Sequence, residues 1–145
     1  MVFSRTAEYA LRAMTFLAMQ PSGKLTGARE ISREENIPTA FLWKILHTLA
    51  RRKLIRSFKG VNGGYELACP GDEITLSTVI FAADGVDFSE HCVLGMPRCD
   101  DQNACPLHDT WKEIRGEMLA MMEQNTLADL ARVARKRVRN KDKQE

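Results

Sequence analysis

A mainly helical fold carrying one small β-hairpin is expected from three observations. Apolar residues recur at helical spacing in successive stretches from residue 4 to residue 130. One Asn-Gly pair, Asn62-Gly63, stands between two short β-prone runs. Between the helical stretches, residues 92–108 gather three cysteines and a histidine among Gly95, Pro97, Asp100, Asp101, Asn103 and Pro106, a composition that suits neither helix nor strand.

The elements follow in order. Ser4 or Thr6 can cap a first helix reaching residue 19, with Ala10, Leu11, Met14, Leu17 and Ala18 on its inner face, and Pro21-Ser22-Gly23 ends it. Thr26 is the expected cap of a short second helix that turns Ala28 and Ile31 inward before Asn36-Ile37-Pro38. Thr39 is the expected cap of a longer third helix, residues 40–52, whose Leu42, Ile45, Leu46 and Leu49 keep helical spacing. Two helices joined by a tight polar connection form a helix-turn-helix pattern. Runs 54–58 and 65–68 then make a hairpin, the wing of a winged helix. Thr75 caps a fourth helix that Gly85 closes. After the cysteine loop, Leu107, Trp111, Ile114, Met118 and Met121 or Met122 step by four, three, four and three or four, an apolar seam that a second copy of the chain would cover. Thr126 and Asp129 read as a capping box for a last short helix, followed by a charged and frayed tail. The expected organisation is a DNA-binding head over residues 1–70, a connecting helix and loop over 71–91, the cysteine loop over 92–108, and a dimerisation helix with a basic tail over 109–145.

Length and charge narrow the function. The 145 residues suit one domain or slightly more, and 44% hydrophobic content supports a core. No apolar run is long enough to span a membrane, and residues 1–12 lack the layout of an export signal, so a cytoplasmic protein with reduced thiols is expected. The net charge of +2 conceals segregation: residues 1–67 hold 11 basic against 5 acidic residues, whereas residues 84–130 hold 3 against 10. A basic head suits a polyanion such as double-stranded DNA. Residues in the first turns of the third helix, Thr39, Ala40, Trp43 and Lys44, are placed to meet base edges, and Arg56 and Lys59 on the wing to meet phosphates. Lys44 can donate to guanine, whereas Trp43 can act through its indole N–H or as a packing residue. No nucleophile–base set, phosphate loop or nucleotide fingerprint is present, so an enzyme is not expected.

Cys92, Cys99 and Cys105 are separated by six and five residues, more openly than the short knuckles of structural zinc sites. Such spacing suits a larger iron–sulfur cluster touched at separate corners, with zinc and an unliganded thiol switch as alternatives. His108, three residues after Cys105 at a helix start, can converge on the same site. Glu8 also reads as an ordinary first-turn glutamate. Cys69, alone beside the wing, reads as an inert thiol.

Several segments together resemble the IscR, NsrR and RirA type of small bacterial winged-helix regulators governed by an iron–sulfur cluster. They are Ala7-Glu8-Tyr9-Ala10-Leu11, Ala28-Arg29-Glu30-Ile31-Ser32, Ile37-Pro38, Phe41-Leu42, residues 49–55, the wing Lys59-Gly60-Val61-Asn62-Gly63-Gly64-Tyr65, the helix over 74–83, Cys105-Pro106-Leu107-His108-Asp109-Thr110-Trp111 and Leu127-Ala128-Asp129-Leu130. The resemblance covers residues 1 to about 131. It implies a homodimer held by the helix after the cysteines through Trp111, Ile114, Met118, Met121 and Met122, with the cluster near the interface. Cys92, Cys99 and Cys105 match the family's cysteine ligands. The fourth position matches either His108, as in IscR-like members, or Glu8, where NO-sensing members carry an acidic residue supplied by the partner. The chain departs from the IscR pattern in its first cysteine gap, in Trp43 and Lys44, and in Asn62 on the wing, so a different operator is expected. The implied function is a transcription regulator, a repressor, sensing nitric oxide, redox state or iron–sulfur supply through a 2Fe-2S or 4Fe-4S cluster. A zinc-stapled DNA-binding protein and an iron–sulfur carrier are the rival readings.

Overall fold

Ser4 accepts a hydrogen bond from the Ala7 N–H at 3.0 Å and so starts the first helix, α1 (Arg5–Met19), in a computed structural model that describes residues 3–85, 88–97 and 99–144 of the chain. Residues 1 and 2 of the expected head, 86 and 87 of the connecting segment, 98 of the cysteine loop and 145 of the tail lie outside the described residues. Ala7, Ala10 and Ala13 make a small-residue stripe along the buried face of α1, with Met14 and Leu17 continuing it. Small side chains let neighbouring helices approach closely, and α2, α3, α4 and α6 all pack on α1.

Helix α2 (Ala28–Glu35) buries Ala28 and Ile31 and ends at Asn36, which takes the left-handed conformation at φ 51°. Asn tolerates that conformation better than most residues, which makes the sharp turn into α3 (Thr39–Arg51) possible. Leu42, Ile45, Leu46 and Leu49 form the buried face of α3, as their spacing requires. Leu46 is fully enclosed, so Leu46→Ala would cost about 2–5 kcal/mol.

The two threonines expected to cap α2 and α3 do not do so. Gly27 is the N-cap of α2 without a side-chain bond. Thr26 is instead drawn into the hairpin: its N–H donates to the Tyr65 carbonyl at 3.0 Å and its carbonyl accepts from the Tyr65 N–H at 2.8 Å. Two main-chain bonds outweigh the single bond a cap would supply. Pro38 is the N-cap of α3, and Thr39 sits inside the helix with its hydroxyl 3.1 Å from that of Ser32, joining the two helices of the motif.

The wing is formed by β1 (Ile55–Phe58) and β2 (Gly64–Leu67), antiparallel with Ile55 opposite Leu67 and Phe58 opposite Gly64. Its connection is a five-residue loop that contains Asn62-Gly63. The Gly63 N–H donates to the Gly60 carbonyl at 3.0 Å, placing Val61 and Asn62 at the turn's centre. Asn62 keeps a negative φ, and the left-handed positions fall on Gly60 and Gly64.

A short 3-10 turn (Gly71–Glu73) leads to α4 (Leu76–Asp84), which is capped by the Thr75 hydroxyl and closed by Gly85 at φ 66°. Leu76, Val79 and Ala82 join the core. After a second 3-10 turn (Phe88–Glu90), the cysteine loop contains only turns and bends among its described residues, until α5 (His108–Gln124) begins. The last helix, α6 (Leu127–Asp142), is longer than expected, since helix continues through most of the basic tail. Its start is fixed by the full Thr126–Asp129 capping box, and the Arg135 guanidinium donates to the Ala18 carbonyl at 2.9 Å at the end of α1. Backbone bonds of 3.0 Å, from the Leu76 N–H to the Asn125 carbonyl and from the Leu127 N–H to the Ile74 carbonyl, clasp the start of α4 to the start of α6. Among the described residues no helix is long and apolar enough to cross a membrane.

Candidate functional site

Two surfaces carry chemistry. The first lies between α3 and the wing. With its apolar side committed to the core, α3 exposes Thr39, Ala40, Trp43 and Lys44, and Arg56 and Lys59 are exposed on the hairpin. Trp43 and Lys59 line one groove of about 800 Å3, together with Arg29, His47 and the wing residues 57–61. Trp43 is 54% exposed, far more than a packing role requires. Arg56 is partly committed: its guanidinium donates to the Ala68 carbonyl at 2.9 Å and stands 3.7 Å from the Glu66 carboxylate across the hairpin. That arrangement stiffens the wing and leaves less of the charge for a phosphate. Arg29 and His47 were not singled out from the sequence. Both are exposed polar positions on helices whose other face is buried, and only the fold brings them to the groove.

The second surface is the cysteine loop on α5. His108, the first residue of α5, is 4% exposed. Its Nδ1 stands 3.4 Å from Cys99 Sγ, and its Nε2 stands 2.8 Å from Asp101 Oδ1. Lys112, one turn along α5, places its Nζ at 3.3 and 3.4 Å from the two oxygens of Asp101. The bond with His108, and then Lys112, holds the Asp101 carboxyl below the usual carboxylate range. Cys92 is buried and Cys105 half-buried. Among the described residues no three His, Cys, Asp or Glu side chains lie close enough together to hold one ion. The loop therefore brings Cys99 to His108 but not all three thiols to one point. Thiolate sulfur and imidazole nitrogen are the donors that zinc and iron–sulfur clusters take, so the chemistry of the donor set fits such a group. Glu8 lies in the first turn of α1, half-buried, and among the described residues shares no hydrogen bond or ion pair with this loop.

The loop is tied to α5 at its other end by the carbonyl of His91, the residue before Cys92. The Trp111 indole N–H donates to it at 2.7 Å and the Arg115 guanidinium at 3.0 Å. Trp111 thus has a bond to the loop as well as a place in the apolar seam. Arg115 is 7% exposed and, among the described residues, has no carboxylate within ion-pair distance. A buried guanidinium needs its donors satisfied, and the bond to the loop carbonyl meets part of that need. Residues 108, 111 and 115 share one helical face, the pattern that could have marked Arg115 in the sequence. Asp101 gave no such signal, because its role depends on how the loop folds back. On the neighbouring flank of α5, Ile114 and Met121 are exposed at 44% and 50%, in line with Leu107 at 48%, while Met118 and Met122 are half-buried.

Away from these surfaces, burial and the neighbouring Glu73 push the Cys69 thiol up, which keeps it protonated.

Comparison with known proteins adds independent information. Residues 3–133 match the Rrf2 family model, described as an iron-dependent transcriptional regulator. The chain is 40% identical over 133 residues to Rv1287 of Mycobacterium tuberculosis, described as an HTH-type transcriptional regulator, covering 90% of this chain and 81% of that one. It is 32% identical over 124 residues to the HTH-type transcriptional regulator NsrR of Shouchella clausii, covering 85% and 83% of the two chains. Among solved structures it is similar to CymR, the global cysteine regulator of B. subtilis, with a TM-score of 0.77 at 25% identity over 90% of this chain and 96% of that one. The fold and the relatives are those of winged-helix transcription regulators rather than enzymes.

Proposed function

Given that the chain belongs to the Rrf2 family of transcriptional regulators, we propose that it is a homodimeric repressor whose operator affinity is set by an iron–sulfur cluster on Cys92, Cys99, Cys105 and His108. The observation that carries this reading is the approach of buried His108 Nδ1 to Cys99 Sγ at 3.4 Å. It makes His108 the candidate fourth ligand from within the same chain, with Glu8 the alternative that a partner subunit would supply. The description of the family as an iron-dependent transcriptional regulator supports an iron centre.

When bound, the cluster supplies a centre that reacts with nitric oxide or oxidants and that is lost when iron is scarce. The rest belongs to the chain. Trp43 and Lys44 reach base edges from the exposed start of α3, while Arg29 and Lys59 hold phosphates on either side of the groove. The line of Leu107, Ile114 and Met121 meets its copy in a partner subunit, covering apolar surface that water otherwise faces. The bonds from Trp111 and Arg115 to the His91 carbonyl tie the peptide before Cys92 to α5. A loop rearranged around its cysteines therefore moves α5, and with it the separation of the two reading heads, which must match half-sites about one helical turn apart.

The experiment is an operator titration at fixed salt with anaerobically purified protein, before and after cluster removal by a chelator. A coloured protein whose affinity changes on bleaching is the expected result. A colourless protein with stoichiometric zinc, or equal affinity in both forms, would overturn the reading.

A further inference from the structure

We propose that Asp101 is the positioning residue for His108, holding its imidazole in the Nε2–H form so that Nδ1 is the nitrogen offered to the cluster. The inference rests on the proposed role of His108 as a ligand and adds which atom binds and what fixes it.

An ionised carboxylate can only accept, so the hydrogen between Asp101 Oδ1 and His108 Nε2, 2.8 Å apart, belongs to the ring. A neutral imidazole carries one N–H, which leaves Nδ1 with its lone pair free. That lone pair faces Cys99 Sγ at 3.4 Å, where the thiol hydrogen of the cluster-free chain can be donated to it. The side of the ring that meets a candidate ligand is thus the side without a proton. Burial of the ring, 4% exposed, restricts rotation that would exchange its nitrogens.

Asp101 is itself held. Its side chain is 74% exposed, and an exposed carboxylate ordinarily stays mobile. Lys112 Nζ approaches both of its oxygens, and Lys112 follows His108 by one turn of the same helix. Two neighbouring residues of α5 therefore grip one loop carboxylate, so the start of α5 sets its position. Carboxylates that orient ligating histidines in this way commonly contribute about 10–100-fold to metal affinity.

The test has two arms. In the reduced, metal-free protein at mildly alkaline pH, long-range 1H–15N NMR reads which nitrogen of His108 carries the proton. Wild type is expected to show it on Nε2, and Asp101→Leu to show a mixture or a shift to Nδ1. Because Asp101 is exposed, this variant should fold. A proton on Nδ1 in wild type, protons on both nitrogens, or an unchanged tautomer in the variant would overturn the proposal. In the second arm the anaerobically reconstituted proteins are challenged with a chelator, and cluster loss is followed by visible absorption. Asp101→Leu is expected to lose its cluster about 10-fold faster or more. His108→Ala separates the two ideas. If it retains the cluster with wild-type nitrogen hyperfine couplings, His108 is not a ligand and the function reading loses its fourth donor. If it loses those couplings while Asp101→Leu matches wild type in both arms, the positioning role alone is wrong.

Discussion

Gly64 joins the wing to the head, and Gly64→Ala tests that junction. Gly64 has φ +147°, and a Cβ there would lie 2.9 Å from the carbonyl carbon and oxygen of Thr26 and 3.0 Å from its nitrogen. All three are backbone atoms, so no rotamer change relieves the contact. The hairpin must move off residue 26 and lose the two main-chain bonds between Thr26 and Tyr65, worth about 1 kcal/mol each. Backbone strain at such a φ adds about 1–3 kcal/mol, giving a total of about 3–5 kcal/mol. Gly60→Ala is the matched control. Its φ of +99° is also in the left-handed half of the map, but nothing lies within 4 Å of its added Cβ, so only the strain share applies. Urea unfolding followed by circular dichroism should place Gly64→Ala at least about 2 kcal/mol below Gly60→Ala. The operator affinity of Gly64→Ala should fall as well, because the displaced wing withdraws Lys59. If the two variants unfold within about 1 kcal/mol of one another, the wing is not held through residue 26 and the reasoning fails.

Other expectations concern single groups. Thr26→Val should raise stability by about 1 kcal/mol, since the Thr26 hydroxyl is fully buried with no partner among the described residues and valine keeps the shape; a lower melting temperature would contradict this. Thr126→Ala should cost about 1 kcal/mol by removing the cap of α6, measurable by thermal unfolding. The same box is acid-sensitive. The Thr126 backbone N–H, followed by Arg132, holds the Asp129 carboxyl below its usual range. Its contribution is present above the unfolded value and disappears as pH falls through the lower folded value. Wild type should therefore lose more stability on acidification than Asp129→Asn, and parallel pH profiles would refute the assignment. Trp111→Phe removes one donor to the His91 carbonyl while keeping the ring. It should expose the loop over residues 92–107 to faster proteolysis, and unchanged cleavage would show that the bond does not restrain it.

Most of the fold was legible because its cues are local. Ser4, Thr75 and the Thr126–Asp129 pair act within three residues of the helices they start. The buried face of α3 follows from side-chain periodicity alone, whereas that of α1 keeps Ala10, Met14 and Leu17 but takes Ala7 and Ala13 in place of Leu11 and Ala18. Failures arose where a distant partner outbid a local preference. Thr26 had the composition of a cap, yet Tyr65, far along the chain, claimed its backbone. The basic tail looked too charged to order, and its packing against α1 through Leu127 and Ala131 was invisible in its charge pattern. In the loop, cysteine spacing marked candidate donors but gave no sign of the groups that hold them in place. Asp101 and Arg115 matter through contacts that depend on how residues 91–107 return to α5.

The clasp between Ile74, Leu76, Asn125 and Leu127 gives the chain a modular logic. Everything between α4 and α6 departs from the reading head and returns to it at one fixed gate, so the intervening cassette can change length without disturbing either gatepost. Lengthening such an excursion is cheap, since each doubling of loop length adds only about 0.6 kcal/mol of closure entropy. A chain built this way can vary the cassette while the winged-helix head keeps its own packing.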